Sequence, residues 1–451
     1  MMPVSAEALI PDNRVLPMLV RCYQHCREHF QILTNARMRA DLAVLHQELR
    51  RRFLLSLQVP RERPFELAEI SSLRSDINSR SGSEEESLVR IAALLRALSK
   101  HVARELLEPI IVEQTWVSVR PRSLILERLN RLPRLDDEVT ESLDRYHPEL
   151  HLTPITVGDK RLVHCRLPRG TAELFRARLE SNSLKIAMSP LSSDAELELR
   201  LSAGFPPDQP APFLVASVGP EKTEIAVLGR LLDFCREGGI SILVLPELRM
   251  PPYLFTVLED FLRRQAWPDL LAGKGLPLVV AGSWHLQDSG DWVNRSVVLD
   301  HRGEQIWTHD KLARYEITAQ NVLESPWLKT GFGLNDHGGV EAIRIGDTLQ
   351  FCDSPAGRLA VAICSGFFHA PLEDLLKASG ATVFLVPAMT PDVRRIAGTA
   401  RRLVESQRAA TFVANSGTHD DRSFYLLPAA NSEPKPADSP PAIHVFDLSE
   451  V

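Results

Sequence analysis

The sequence predicts an α/β layered domain preceded by a mainly helical one. From Ser183 onward, short apolar runs alternate with amphipathic helical segments, the texture of a sheet covered by helices. Before that point, apolar residues recur mostly at helical spacing. A length of 451 residues leaves room for two or three domains and a large core.

The predicted helical region spans residues 1–182 and reads as an accessory or regulatory domain. Leu16, Leu19, Val20, Tyr23, Phe30, Ile32 and Leu33, then Leu42, Leu45, Leu49 and Phe53, keep roughly helical spacing. Pro17 suits a first turn, where its missing donor costs nothing. Pro60 and Pro64 interrupt the pattern. Ser81-Gly82-Ser83 is a break, and Ser83 with Glu86 fits a capping box. The helix that follows carries Leu88, Ile91, Leu94, Leu95, Leu98, Val102 and Leu106 on one face, read as core. Residues 160–182 are ambiguous.

The α/β region spans 183–451. Leu184–Met188 reads as a strand, Gly204–Pro212 as a linker or loop, and Phe213–Val218 as the next strand. Glu224–Glu237 reads as a helix ended by Gly238-Gly239. Ile242–Leu245 is a near-continuous apolar strand, as expected where both faces are covered. Further strands are expected at Leu278–Ala281, Ser296–Leu299, Leu359–Ile363, Val383–Val386 and Ile443–Asp447. Helices are expected at Tyr253–Arg264, Ala370–Lys377 and Pro391–Arg408, and a mobile proline-rich loop at Ser432–Pro441.

Composition narrows the function classes. Hydrophobic content of 44% and charged content of 24% are ordinary for a soluble globular protein. The net charge of −6 disfavours nucleic-acid binding by bulk electrostatics. Lys100, Lys160 and Lys185 are the only lysines in the first 200 residues, where arginine dominates. The six cysteines show neither zinc spacing nor a disulfide framework. Cys22 and Cys26 flank His25 on a helix, but further ligands at metal spacing are missing, so no metal centre is expected. No secretion signal pattern is present and no apolar run reaches the roughly 18 residues of a membrane span. A cytoplasmic protein with reduced thiols is expected.

Three residues carry candidate chemistry. Glu247 lies just past Ile242–Leu245, and Cys364 directly follows Leu359–Ile363. Ligands of α/β sheets bind beyond the carboxyl ends of strands. Lys311 follows Gly303–Thr308, read as a turn and strand. A thiol attacks, a carboxylate takes and returns its proton, and an ammonium holds the developing oxyanion. Lys311 is expected to lower the thiol pKa. Ser365-Gly366 after the cysteine allow a substrate to approach the backbone, and the Ser365 N–H is a candidate oxyanion donor.

These blocks resemble the nitrilase, or carbon–nitrogen hydrolase, superfamily from about Pro212 to the end. The matching stretches are Ile242–Glu247, Val293–Asp300 with Asn294, His309–Leu312, Asp353–Cys364, and Arg402 with Glu405 followed by Phe412–Gly417, in family order. The resemblance implies an α-β-β-α sandwich and a cysteine-dependent hydrolase of a non-peptide C–N bond, with no cofactor. Cys364 is implied as nucleophile, Glu247 as general base and Lys311 as oxyanion cation. It also implies a second, structural glutamate after the lysine. Glu324 is preferred there over Glu316, which is closer to the lysine than the family pattern prefers.

Ser365, Gly366, Phe367, Phe368 and Asn294 are the expected substrate-binding residues, with His369 read as structural. An aromatic residue followed by an acid is usual after the nucleophile, and this chain departs from it with Ser365-Gly366-Phe367-Phe368-His369. An amide or carbamoyl substrate is expected over a nitrile, because that segment lacks tryptophan. The resemblance further implies a homo-oligomer. Nitrilase-like domains also occur attached to bacterial antiviral defence proteins. The alternative is therefore a partner-regulated effector whose helical region binds a protein.

Overall fold

The computed structural model describes residues 15–37, 39–56, 77, 83–103, 106, 108–119, 150–191, 197–202, 204–271, 275–390, 392–416, 423–428, 435–436 and 443–448. The chain divides into two compact units, one of residues 1–120 and 133–156, the other of 121–132 and 157–451. The boundary therefore falls near 156 and not at 182. The reason lies in the ambiguous stretch. Lys160–Cys165 is a strand paired in parallel with Thr348–Ser354, and Arg169–Glu180 is a helix that buries Phe175 and Leu179 in the core of the second unit.

The first unit is helical, as expected, with helices Val15–Glu28, Phe30–Arg37, Ala40–Ser56 and Glu84–Val102. The apolar stripe from Leu88 to Val102 is buried in one cluster with Met18, Leu19, Leu49 and Phe53, while Leu106 is partly buried against it. Ser83 Oγ accepts from the Glu86 N–H, and the Glu86 carboxylate turns to Arg90. The unit also holds an unanticipated three-stranded antiparallel sheet, Ile110–Val112, Thr115–Val119 and Leu150–Pro154. Pro60, Pro64 and the Ser81-Gly82 break lie outside the described residues.

The second unit is built on two large sheets, one seven-stranded and one eight-stranded. In the first, Ile242–Val244 pairs in parallel with both Leu278–Val280 and Lys185–Met188. In the second, Gly357–Val361 pairs in parallel with Val383–Ala388, which pairs in parallel with Ala410–Asn415. Successive strand residues point to opposite faces, and the burial follows that period. Ile242, Val244, Leu278 and Val280 share one core with Val383, Leu385 and Phe412 of the opposite sheet. Leu243, Leu245, Val279 and Ala281 instead pack with Leu228, Leu231 and Leu258 of helices Glu221–Glu237 and Pro252–Leu271. On the far side Phe384 meets Phe367, ring centroids 5.6 Å apart, and helix Arg394–Gln407 buries Ile396, Ala400 and Leu403. The result is an α-β-β-α sandwich.

A further four-stranded sheet joins Glu316–Ile317, Gly339–Glu341, Ala211–Val218 and Leu197–Leu201. The expected linker therefore ends in a strand that contains Pro212. Of the proline-rich stretch 432–441, Lys435–Pro436 pairs with Phe424–Leu426, and the rest lies outside the described residues. Among the described residues no helix is long and apolar enough to cross a membrane.

Candidate active site

The site forms where strands of both sheets end. Ile242–Val244 exits through Leu245-Pro246 into Glu247, whose N–H donates to Ala388 O (3.3 Å) at the end of the opposite sheet's central strand. Gly282 backs this turn with φ +58°. A Cβ there would stand 2.2 Å from Pro246 O, so only glycine leaves the Glu247 loop in place. Gly357–Val361 runs through Ala362-Ile363 into Cys364, which has φ 42° and ψ −110° and donates its N–H to Pro387 O (2.9 Å). Gln305–Asp310 delivers Lys311, anchored by its N–H to Asn294 O (2.8 Å).

The structure brings Glu247, Lys311 and Cys364 together. Lys311 Nζ lies 2.7 Å from Glu247 Oε1, and both residues are 1% exposed. The Met389 backbone N–H donates to Glu247 Oε2 (3.2 Å), and the Glu247 charge acts on the Cys364 thiol. Burial first, then the Glu247 charge, push the Cys364 thiol pKa well up, against the opposing pull of Lys311. Lys311 does pull the thiol pKa down as expected, but burial and Glu247 outweigh it.

Glu324, the preferred second glutamate, is not near Lys311. It is exposed and accepts a hydrogen bond from Gln320 (2.7 Å). Glu316 is exposed as well. The second carboxylate is Glu341, at the end of the three-residue strand Gly339–Glu341. Its Oε2 lies 2.7 Å from Lys311 Nζ and accepts from the Tyr315 N–H (3.0 Å). Its Oε1 accepts from Asn294 Nδ2 (2.8 Å) and His285 Nε2 (2.9 Å). Burial raises its pKa, but Lys311 and His285 outweigh that and hold the carboxyl well below the usual range. Lys311 balances the same way. Burial opposes its charge, and Glu247 and Glu341 together hold it well above the ordinary lysine value.

His285 has a fixed tautomer. Its Nδ1 accepts from the Val215 backbone N–H (2.9 Å), so Nε2 carries the proton given to Glu341. Sequence reading missed both His285 and Glu341. The available signal was slight, a lone carboxylate within the apolar Val340-Glu341-Ala342-Ile343 run.

The expected substrate-binding residues divide. Asn294 Nδ2 bridges Glu247 Oε1 (3.0 Å) and Glu341, so it holds the two carboxylates apart and in place. Ser365 Oγ donates to Ala313 O (2.7 Å), and Gly366 packs on Leu312, so this pair fixes the nucleophile segment against the lysine segment. Phe367 is fully buried against Phe384 and faces the helical layer. Phe368 is half-buried beneath the Arg395 guanidinium, 4.5 Å from its ring centre, and His369 is exposed. The cavity beside the charged cluster is lined by Glu247, Lys311, Glu341 and Tyr315 together with apolar side chains such as Leu199, Phe213 and Met389. Its volume is about 60 Å³, and Cys364, with 0% exposure, is not among the residues that line it. Tyr315 is pushed up to about 12, first by burial and then by Cys364 and Glu247.

An α-β-β-α sandwich whose strand ends converge on Glu, Lys and Cys defines the class of the domain. Residues 214–430 match the family model described as carbon-nitrogen hydrolase. The chain thus carries a C-terminal nitrilase-like domain and is a carbon–nitrogen hydrolase. Among solved structures, Nit3 of Saccharomyces cerevisiae, described as a member of branch 10 of the nitrilase superfamily, is 14% identical. That match covers 59% of this chain and 90% of Nit3, with a TM-score of 0.36. An amidase from Nesterenkonia sp. is 16% identical, covering 58% of this chain and 89% of the amidase, with a TM-score of 0.34. No curated protein matches the chain.

Proposed function

We propose that the chain hydrolyses a small amide through a Glu247-Lys311-Cys364 triad. The observation that carries the reading is Lys311 Nζ placed 2.7 Å from each of two buried carboxylates, with the fully buried Cys364 close enough to feel the charges of Glu247 and Lys311. In this scheme Glu247 accepts the thiol proton as Sγ attacks the carbonyl carbon. The C=O electron pair moves onto oxygen, which the Lys311 ammonium stabilises. Collapse expels the amine with the proton from Glu247 and leaves a thioester. Water, deprotonated by Glu247, attacks the thioester. The acid departs and the sulfur regains its proton. Glu341 and Asn294 are positioning groups: they hold the ammonium charged and Glu247 aimed.

The substrate class rests on the cavity. Its apolar lining and small volume favour a short aliphatic amide over a bulky or charged one. A second reading, regulated activity, draws on one observation. Cys364 is fully enclosed, so a change elsewhere would have to open the site.

Intact-mass labelling by an electrophilic amide tests both. Adduct formation at Cys364 that collapses in Glu247→Gln and Lys311→Ala supports the triad. Equal, sluggish labelling of all three proteins sinks it for the isolated chain and leaves the regulated reading.

A further inference from the structure

The segment His25-Cys26-Arg27-Glu28-His29 places three potential metal ligands on one face of the first unit. Positions i, i+3 and i+4 of a helix are neighbours. The α-helical register continues through them, since the His29 N–H donates to His25 O (3.2 Å) and the Leu33 N–H to His29 O (3.1 Å). A donor atom from each of His25, Glu28 and His29 lies within 4.8 Å of the others. The two imidazoles meet edge to face, centroids 4.6 Å apart. Among the described residues no hydrogen bond or ion pair occupies these three donor groups. The cysteines that first draw the eye are not part of the cluster. Cys22 and Cys26 are fully buried in the helical core, where burial pushes the Cys22 thiol up to about 12.

We propose that His25, Glu28 and His29 bind a divalent first-row transition ion of the zinc class. Two imidazoles and one carboxylate form a mixed N/O set that suits zinc and not magnesium or calcium, which take oxygen ligands. Tetrahedral zinc with bonds of about 2.0–2.2 Å wants its donors about 3.3–3.5 Å apart. Exposed Glu28 and half-buried His25 and His29 have room to close that difference by side-chain rotation. Water completes the shell.

The test is titration of chelator-stripped full-length protein with Zn²⁺, in a Cys364→Ala background that removes the site thiol. One equivalent should bind, and Co²⁺ should give a tetrahedral d–d spectrum without a thiolate charge-transfer band. Removal of an outer-shell partner alone costs about 10–100-fold in affinity. His29→Gln and Glu28→Gln should therefore each weaken binding by about tenfold or more, and His25→Ala/His29→Ala should abolish it. If the double variant unfolds by circular dichroism, the two single variants carry the result. No stoichiometric uptake, uptake unchanged in the His29→Gln and Glu28→Gln variants, or a thiolate band with Co²⁺ would each overturn the proposal.

Discussion

Lys311 and His309 stand two residues apart and are equally hidden, each 1% exposed. Their surroundings differ completely. Lys311 enters a pocket of carboxylates where Glu247 and Glu341 each approach to 2.7 Å, and it keeps its charge against burial. His309 faces the seam between the sheets, and neither ring nitrogen has a hydrogen-bond partner among the described residues. Its strand neighbour Ser296 is likewise without a hydroxyl partner. Burial lowers the His309 pKa to about 4, with Asp310 a weaker opposing influence. The two positions show the two ways a protein carries an ionisable group indoors: surround the charge, or forbid it.

The comparison breaks most severely at Lys311. Lys311→Ala leaves two buried carboxylates facing each other, and breaking a buried pair costs about 3–5 kcal/mol. Denaturant unfolding should show that loss, and amide turnover should fall by about 10²–10³ or more if the ammonium holds the oxyanion. Glu341→Gln should cost less, because one carboxylate still balances the lysine. A buried group deprived of its charged partner loses about 1–3 kcal/mol. The depressed Glu341 pKa means that its contribution is present above the ordinary carboxylate range and is lost as pH falls through it. The variant's stability should therefore depend less on acid than the wild type's.

His285→Leu comes next. It orphans the Val215 N–H and removes one donor from Glu341, a loss of about 1–3 kcal/mol in thermal unfolding. Because the lost contact is indirect, turnover should drop while the pH profile keeps its shape. At neutral pH the smallest effect belongs to His309→Leu. The folded pKa lies below the ordinary value, so the unfolded chain binds the extra proton between about pH 4 and 6.5. Stability in that window falls as pH falls. The variant should match wild type near pH 7, exceed it near pH 5 and retain amide turnover. Equal acid sensitivity of the two proteins would contradict the contrast drawn above.

What could be read from the sequence follows from the same physics. Glu247 and Cys364 were visible because each ends a run too apolar to be anything but a covered strand. Lys311 was visible through the motif around it. Glu341 was hidden because it lies 30 residues beyond Lys311 on a three-residue strand, and only pairing with Ala211–Val218 brings it to the site. Glu324 was preferred from the family's spacing after the lysine, yet its helix Ala319–Glu324 leaves it in solvent. Phe367 was assigned to the pocket by adjacency to Cys364, and the turn after the cysteine sends it to the opposite layer. The boundary at 182 fell too late because Lys160–Cys165 joins the second unit's sheet only through residues nearly 190 positions later.

The backbone at Cys364, φ 42° and ψ −110°, is the first central position of a type II′ turn, where glycine dominates. A side chain held there costs about 1–3 kcal/mol, sustained by the surrounding fold. Selection for folding alone would place glycine at 364, so the cysteine answers to another demand. In a lineage that had ceased to use the sulfur, nothing would hold that residue against drift, and Cys364→Gly is the first change such a lineage should accumulate.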